Sequence, residues 1–391
     1  MPSLAPRIPA VPGSGIRRIF ELALQLDTPD DPIVMLAVGE PDVPMAPHIA
    51  AAAIAAWERD ETDYTANAGI PALRQAIVAK LARDNDILVE VEQVWATIGA
   101  TQGLNLAMQM TLSAGDEVLV PDPGYTTFTM NARMQDVHPV PYSLTPERDF
   151  LPSIDELDRL VTAKTRVLIV NSPSNPLGAV FDRETLAELL SFASRHDLWI
   201  ISDEVYERFV WDTDHVSLAS IDTENRVLSV FSLSKTYAMT GVRVGYLIVP
   251  PGLALIMRTL QEASISCVAA PDQYAAIAAI EGDQSHVDAA REHYRANFAA
   301  VARVLDDRGI RYLRPRGTFY LWVDVTHASG GDVATWAEAF LIEERVAVAP
   351  GSAFGRSGEG WIRICLAATE EDLLRGVGRL PAPVAQPVET S

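Results

Sequence analysis

The 391-residue chain is 48% apolar and 21% charged, which is ordinary for a globular protein with a large core. Its net charge of -21 argues against binding to nucleic acid or an anionic membrane, because both need basic surfaces. The two cysteines, Cys267 and Cys365, form no CxxC pair, and no apolar run approaches the roughly 18 residues of a membrane helix. Prolines stand where a signal peptide would be apolar, so we expect a cytoplasmic protein.

The predicted elements begin with an extended arm over residues 1–15 and an amphipathic helix over 16–26. Between about 94 and 250, short β-rich runs alternate with turns and helical runs. The predicted strands are VWATIG, EVLVPDP, VHPVPY, RVLIVNSP, LWIISDEVY, RVLSVFSLS and RVGYLIVP. This alternation predicts an α/β fold with a mostly parallel sheet covered on both faces, whose ligands bind beyond the carboxyl ends of the strands.

A second, smaller α+β unit follows a helical stretch over about 252–310. Its strands are predicted in RYLRPRGTFYLWVDV and in VAVAPGSAFG…GWIRICLA. We expect an N-terminal arm and helix over 1–45 that joins the small domain, a large domain over 46–285, and a small domain over 286–380. The final PAPVAQPVETS, 381–391, is predicted to be a disordered tail.

Several common mechanistic motifs are missing from the sequence. It contains no GxGxxG after a strand, no GxxxxGK[ST] and no HExxH, so dinucleotide, P-loop and zincin sites lack their essential residues. The seven histidines are scattered without the spacing of metal ligands, and we expect no metal site.

Polar residues interrupt the predicted strands where each strand ends. Asn175 follows one strand in NSPSNPLG, a segment that also suits a simple turn. Asp203 and Tyr206 follow another, where the carboxylate has the alternative role of a helix N-cap. Tyr125 follows a third and either stacks on a ligand or packs in the core. The turn at 99–101 starts a helix whose free N–H groups can hold a phosphate, although many such turns bind nothing.

Lysine is scarce in this chain. Only Lys80, Lys164 and Lys235 are lysines among the 31 basic residues. Lys235 lies in a serine-rich turn, SLSKTYAMTGVRVGY, ahead of Arg243. Lysine can lose its proton and act as a nucleophile, which arginine cannot do, so a lysine in this turn indicates amine chemistry.

Together these residues match the contacts of one ligand, pyridoxal phosphate. An amine can form a Schiff base with its aldehyde, and a carboxylate can keep its ring nitrogen protonated. An amide and a phenol can hydrogen-bond its phenolate oxygen, while a helix N-terminus, serines and an arginine can bind its phosphate.

The sequence resembles the class I/II aminotransferases of fold type I, and most closely their aspartate/aromatic branch, over about residues 14–375. The motifs in their expected order are SGIRRIFELA, AVGEPD, YTANAGIPALRQAI, GATQG, NSPSNPLG, SDEVYE, SLSKTYAMTGVRVGY and PGSAFG…GEGWIRI. The resemblance implies a three-layer α/β/α large domain and a smaller α+β domain. It also implies transfer of an amino group from an L-α-amino acid to a 2-oxo acid such as 2-oxoglutarate, by a two-stage ping-pong mechanism.

The resemblance further implies a role for each candidate residue. Lys235 holds the cofactor covalently and moves the substrate proton, with Asp203 on the pyridinium nitrogen, and Asn175 and Tyr206 on the phenolate oxygen. Tyr125 stacks on the ring. The residues implied at the phosphate are Gly99, Ala100, Thr101, Ser232, Arg243, the weaker candidate Ser234, and Tyr64, which reaches the other subunit of a homodimer.

Arg363 is implied to grip the substrate α-carboxylate, assisted by the Gly39 backbone and Asn175; without that context it would be a charge on a surface strand. Glu204 is expected to face solvent or cap a helix, and Arg316 to face solvent. The segment 264–273, which contains Cys267, and the helix start SGIRRIF are expected to line the side-chain pocket.

The amino donor stays open between aspartate, an aromatic and another neutral amino acid, because no second arginine stands out for a dicarboxylate. A C–S lyase or a cyclopropane-carboxylate-type synthase of the same fold is the alternative enzyme. An effector-binding module of a regulator is disfavoured, because residues 1–90 have no room or charge for a DNA-binding domain.

Overall fold

The computed structural model describes residues 5–383, which contain fourteen α-helices and thirteen β-strands. The helices are α1 (Gly15–Leu26), α2 (Pro47–Glu58), α3 (Pro71–Asp84), α4 (Ala100–Thr111), α5 (Thr127–Met134), α6 (Ile154–Leu160), α7 (Arg183–Arg195), α8 (Leu233–Thr236), α9 (Ala254–Ser264), α10 (Ala270–Glu281), α11 (Ser285–Asp307), α12 (Thr326–Ser329), α13 (Val333–Glu344) and α14 (Glu370–Gly378). The strands are β1 (Val34–Met35), β2 (Val94–Thr97), β3 (Glu117–Asp122), β4 (His138–Ser143), β5 (Thr165–Asn171), β6 (Trp199–Asp203), β7 (Val227–Ser232), β8 (Gly245–Ile248), β9 (Tyr312–Leu313), β10 (Tyr320–Asp324), β11 (Val346–Ala347), β12 (Ala349–Pro350) and β13 (Trp361–Cys365).

The large sheet has seven strands in the order β2-β8-β7-β6-β5-β3-β4. Every strand pair is parallel except the two that involve β8, which runs antiparallel to both neighbours. The connection from β7 to β8 holds only the short helix α8, whereas a parallel crossover usually needs a full helix. The predicted α/β fold with a mostly parallel sheet is confirmed.

Helices cover both faces of this sheet, because its central strands are apolar on both sides. In β5, Val167 and Ile169 pack with α4, α5 and α9, while the alternate residues Leu168 and Val170 pack with α6 and α7. All four side chains are fully buried. A strand that is buried on both faces has apolar residues at consecutive positions, as β5 does.

The smaller unit is built on a four-stranded antiparallel sheet, β12-β13-β10-β9. The N-terminal helix α1 packs against α13 and β12 of this unit, and β1 pairs with β11. The domain boundaries at 45 and 285 stay a prediction. Most of the predicted tail, 384–391, lies outside the described residues, as do residues 1–4 of the predicted arm.

Within residues 5–383, no helix is both long and apolar enough to cross a membrane. The same part of the chain holds no group of three or more His, Cys, Asp or Glu placed to bind a metal ion.

Strand register brings the candidate residues to one edge of the large sheet. Asn171 at the end of β5 pairs with Asp203 at the end of β6, and Ser232 at the end of β7 pairs with Gly245, which also pairs with Thr97. The carboxyl ends of β2, β5, β6 and β7 therefore meet where a doubly covered sheet binds its ligands.

Candidate active site

A cavity of about 430 Å³ lies at this edge, between the large sheet, α1 and the small sheet. Of the predicted site residues, those that line it are Gly39, Ala100, Thr101, Tyr125, Asn175, Asp203, Tyr206, Ser232, Ser234, Lys235, Arg243 and Arg363. Gly99 lies directly beside Arg243, where a Cβ would overlap the guanidinium. Tyr64 is outside this cavity and 90% exposed.

Lys235 projects into the cavity from α8, the single helical turn that follows β7. The Oγ of Ser232 caps this turn by accepting the Ser234 N–H at 3.1 Å. The Lys235 Nζ donates to the Gly39 carbonyl at 2.7 Å, and burial lowers the pKa of its amine to about 8. A larger fraction of neutral amine is therefore present near neutral pH than for an exposed lysine, which favours attack on an aldehyde.

The other two lysines are placed differently. Lys80 is buried in an ion pair with Glu207 and donates to the Asn85 side chain at 2.7 Å, while Lys164 is exposed. Neither lines the cavity.

Asp203 ends β6 with its side chain facing the cavity, and the residue is only 4% exposed. Its carboxylate accepts the Val205 N–H at 3.3 Å, and no basic side chain of residues 5–383 forms an ion pair with it. Burial raises the pKa of this carboxyl to about 7. A buried carboxylate without a cation fits the protonated ring nitrogen of pyridoxal phosphate, which would favour its charged form.

Groups that can bind an anion lie close together around Arg243 in the cavity. Gly99 has φ of 75° and precedes α4, whose first N–H groups have no intrahelical partner. The Arg243 guanidinium donates to the Thr240 carbonyl at 2.8 Å and lies 3.4 Å from the Ser234 Oγ. A helix N-terminus, a guanidinium and two serine hydroxyls suit a phosphate dianion.

Arg363 lies in β13, opposite Trp322 of β10, and is only 2% exposed. Its Nη1 donates to the Asn175 Oδ1 at 2.9 Å, its Nη2 donates to the Ala37 carbonyl at 2.6 Å, and its Nε has no partner in the described residues. No carboxylate of residues 5–383 pairs with this guanidinium. A buried arginine without an anion suits a substrate carboxylate.

Three further residues that line the cavity bear on the geometry of the site. Asn171 accepts the Asn175 N–H at 2.9 Å and donates to the Asp203 carbonyl at 3.1 Å. Tyr320 places its hydroxyl 2.7 Å from the Tyr206 hydroxyl. Arg17 lines the cavity mouth in the predicted helix start. Asn171 could have been inferred from its place at the strand end, whereas Tyr320 gives no sequence signal.

The solvent-facing position expected for Glu204 is wrong, because this residue is only 1% exposed. Its carboxylate accepts from the hydroxyls of Ser202 and Ser217, at 2.9 and 2.6 Å, and lies 2.9 Å from a His215 ring nitrogen. Ser202 belongs to β6 itself, and the chain after β6 folds back to supply Ser217 and His215, so the buried carboxylate has hydrogen-bond partners.

Two further sequence expectations concern the surroundings of the cavity. Arg316 is exposed and donates to Thr213 at 3.1 Å, away from the cavity. The helix start at Ser14 does line the cavity, but in the chain as described no residue of the segment 264–273 does so.

A family model described as aminotransferase class I and II matches residues 31–380. The chain belongs to the class I and II aminotransferases. It is 35% identical to an aspartate aminotransferase of Pyrococcus horikoshii over 96% of both chains, and 35% identical to aromatic-amino-acid aminotransferase 2 of Thermococcus litoralis over 97% of both. The structure of Thermus thermophilus aspartate aminotransferase with maleate superimposes with a TM-score of 0.92 at 33% identity, covering 97% of this chain and 99% of that one.

These comparisons confirm the family, the fold type and the aminotransferase activity predicted from the sequence. The chain is a pyridoxal-phosphate-dependent amino-acid aminotransferase. The roles of its individual site residues stay predictions. The distances and hydrogen bonds given above specify which atoms each role would involve.

Borohydride reduction of the cofactor-loaded aminotransferase should place the cofactor label on Lys235 alone, because the other two lysines lie outside the cavity. Peptide mass spectrometry of the digested protein identifies the labelled lysine. Lys235→Arg should abolish labelling and Lys164→Arg should leave it intact. A label on Lys80 or Lys164 would refute the assignment.

Arg363→Lys keeps the charge but loses two of the donors that hold a carboxylate in one plane. We expect kcat/KM to fall about 10- to 150-fold for every amino acid and 2-oxo acid, which corresponds to losing roughly 1.5–3 kcal/mol. The visible absorption of the bound cofactor should be retained. Arg316→Lys is the matched control and should change neither quantity. Steady-state kinetics with several amino acids that finds a loss for some side chains only would place Arg363 in a specificity pocket instead.

Proposed function

We propose that this aminotransferase moves the amino group of aspartate, of aromatic L-amino acids or of similar donors to a dicarboxylic 2-oxo acid such as 2-oxoglutarate. The observation that carries the proposal is that one cavity brings together the Lys235 amine and two arginines, Arg243 and Arg363, neither of which forms an ion pair within residues 5–383. Arg363 suits the α-carboxylate that donors and acceptors share, and Arg243 suits the phosphate.

Three side chains of the protein have separate roles in the proposed reaction. Pyridoxal phosphate supplies, when bound, an electron sink for the bond that breaks at the substrate α-carbon. Arg363 orients the substrate so that its α-carbon faces Lys235, whose amine takes the α-proton and returns it. Asp203 favours the protonated ring nitrogen.

The remaining contacts hold the cofactor in place. Asn175 and Tyr206 would hydrogen-bond the phenolate oxygen and Tyr125 would stack on the ring, since these side chains line the same cavity as Asp203. Ser232, Ser234, Arg243 and the 99–101 turn would hold the phosphate group. This arrangement is supported by the mutual contacts of these residues in the cavity.

The cavity mouth supports a mixed substrate range. Ile16 and Phe20 of α1 line the cavity with apolar side chains, and Arg17 of the same helix lines it with a cation. The Arg17 guanidinium lies 5.3 Å from the Phe20 ring and its Nε lies 3.1 Å from the Glu21 carboxylate. A second substrate carboxylate can replace Glu21 at Arg17, while an aromatic side chain packs on the apolar side chains. The relatives carry aspartate and aromatic names, and one of their structures binds maleate, a dicarboxylate.

Arg17→Gln should raise KM for dicarboxylic substrates about 5- to 10-fold, because it removes one partly exposed charge-assisted hydrogen bond. Kinetics with phenylalanine or tyrosine should change little. Glu21→Gln should act in the opposite direction, because it removes the competing carboxylate. The control is Arg18→Gln, since Arg18 pairs with Glu338 and does not line the cavity. Equal loss for both substrate classes would exclude a second-carboxylate role.

We also propose a homodimer whose active sites include residues of both subunits. The large side chains of Trp57, Tyr64 and Leu255 are 63%, 90% and 78% exposed in the single chain, so they offer apolar area that a second copy would gain free energy by burying. Ile98, beside the phosphate-binding turn, is exposed as well. A second copy that covers this surface would bring its Tyr64 hydroxyl to the phosphate.

Mixed dimers test this proposal. Lys235→Ala and Tyr64→Phe variants, each impaired alone at limiting cofactor, should regain activity when they are unfolded and refolded together. One site of the mixed dimer then combines Lys235 of one chain with Tyr64 of the other, and both residues are intact. If Tyr64 served its own chain, no site would be intact and activity would stay low. Assays at limiting pyridoxal phosphate, with each variant refolded alone as the control, measure the difference.

A cytoplasmic location is proposed as well. It is supported by Cys267 and Cys365, which are both free thiols in the structure, as is usual in a reducing compartment.

A further inference from the structure

Tyr320 contacts three groups that serve different parts of the reaction. It begins β10 and is only 1% exposed. Its ring centroid lies 4.2 Å from the Arg363 guanidinium carbon, and its hydroxyl lies 2.7 Å from the Tyr206 hydroxyl. The same hydroxyl lies so close to Gly39 that a Cβ at this position would overlap it. The Gly39 carbonyl in turn accepts a hydrogen bond from the Lys235 amine.

We propose that Tyr320 is a positioning residue that couples the substrate-carboxylate site to the cofactor-oxygen site. Its hydroxyl directs the Tyr206 O–H toward the cofactor phenolate oxygen, and its ring holds the plane of the Arg363 guanidinium. The inference rests on the proposed roles of Tyr206 and Arg363 and adds a residue to which neither the sequence nor the relatives' names assign a role.

The hydroxyl pair has a preferred direction. Burial raises the pKa of Tyr320 to about 12 and that of Tyr206 well above its usual value, so both phenols stay neutral and one donates to the other. If Tyr206 donated to Tyr320, its proton would be unavailable to the cofactor. An anionic phenolate oxygen is the stronger acceptor and draws the Tyr206 proton, so Tyr320 donates to the Tyr206 oxygen. That bond strengthens Tyr206 as a donor, as expected in a hydrogen-bonded chain.

The ring acts on Arg363 independently of the hydroxyl. Asn175 and Ala37 accept from the two terminal nitrogens, and the Tyr320 and Phe354 rings flank the guanidinium at 4.2 and 4.9 Å. Stacking on an aromatic face stabilises a buried guanidinium and restricts its rotation. A carboxylate that approaches Arg363 therefore meets donors already held in one plane.

Two substitutions separate these effects. Tyr320→Phe removes only the hydroxyl. The proton on the Lys235 nitrogen and the Tyr206 hydroxyl compete for the same cofactor oxygen, so a weaker Tyr206 donor lets that nitrogen hold its proton more tightly. The pH midpoint of the visible absorption of the bound cofactor should rise by roughly 0.5–1 pH unit. KM should change little, because the ring stays.

Tyr320→Leu removes the ring as well. KM should then rise roughly 5- to 30-fold for every amino acid and 2-oxo acid, with a much smaller change in kcat, as expected for loss of a buried cation–π contact. Compared with Tyr320→Leu, Tyr320→Phe should therefore have a KM close to that of the unsubstituted enzyme while its absorption midpoint stays raised. A purely structural role would not separate these two effects.

Two reference variants complete the experiment. Tyr206→Phe should raise the midpoint by itself, and adding Tyr320→Phe to it should cause no further rise, because Tyr320 acts through Tyr206. Tyr142→Phe is the matched control: it removes a buried hydroxyl that donates to the Ile169 carbonyl at 2.9 Å outside the cavity, and should leave the midpoint unchanged.

The outcomes separate failure of this inference from failure of the proposed site. A midpoint that moves with Tyr206→Phe but not with Tyr320→Phe would overturn the coupling while leaving the role of Tyr206 intact. A midpoint that moves with neither variant would overturn both. Equal KM increases for Tyr320→Phe and Tyr320→Leu would show that the ring does not hold Arg363.

Discussion

The Arg363 guanidinium is the point at which separate parts of the chain meet, and the cavity depends on it. Arg363 lies in the small antiparallel sheet, donates to Asn175 after a strand of the large sheet, and donates to Ala37 in the N-terminal segment. These partners are 188 and 326 residues away along the chain. A buried arginine is costly unless its donors are satisfied, so the three segments are stabilised in one arrangement. That arrangement closes one wall of the cavity.

Charge inside the cavity is divided rather than paired. Among residues 5–383, no cation pairs with the carboxylate of Asp203 and no anion pairs with the guanidinium of Arg363. Each arrangement is unfavourable in the protein alone, and the raised pKa of Asp203 shows the cost of its burial. A ligand with a protonated ring nitrogen, a phosphate and a substrate carboxylate would relieve these costs in complementary places. Unpaired buried charge therefore favours binding of the cofactor and substrate.

The membership of the class I and II aminotransferases and the geometry of the site support one another. Relatives with aspartate and with aromatic names are equally similar to this chain, each at 35% identity. The mouth of the cavity offers a reason why family membership alone leaves the donor open, because Arg17, Ile16 and Phe20 all line it. Under the proposed function, this cation and these apolar side chains would accommodate both kinds of substrate side chain.

The sequence by itself determined the parallel sheet, the family and the local part of the site. Apolar runs that end in polar turns are local patterns, so Lys235, Asp203, Arg243 and the 99–101 turn were recognisable without coordinates. The sequence did not determine which distant residues complete these local groups. It left Tyr320 unnoticed, 114 residues from Tyr206, and left Glu204 to face solvent or cap a helix, although Glu204 is buried.

Tertiary structure alone decided these points, because hydrogen bonds across the cavity join segments that have no common periodicity. Lys235 and Gly39, which share a 2.7 Å hydrogen bond, are 196 residues apart. The burial of Glu204 likewise depends on where Ser217 and His215 return to the sheet. The preferences of residues for strands and turns act over a few positions and can be read from the sequence. Which buried polar groups meet is decided by the packing of the small sheet against the large one.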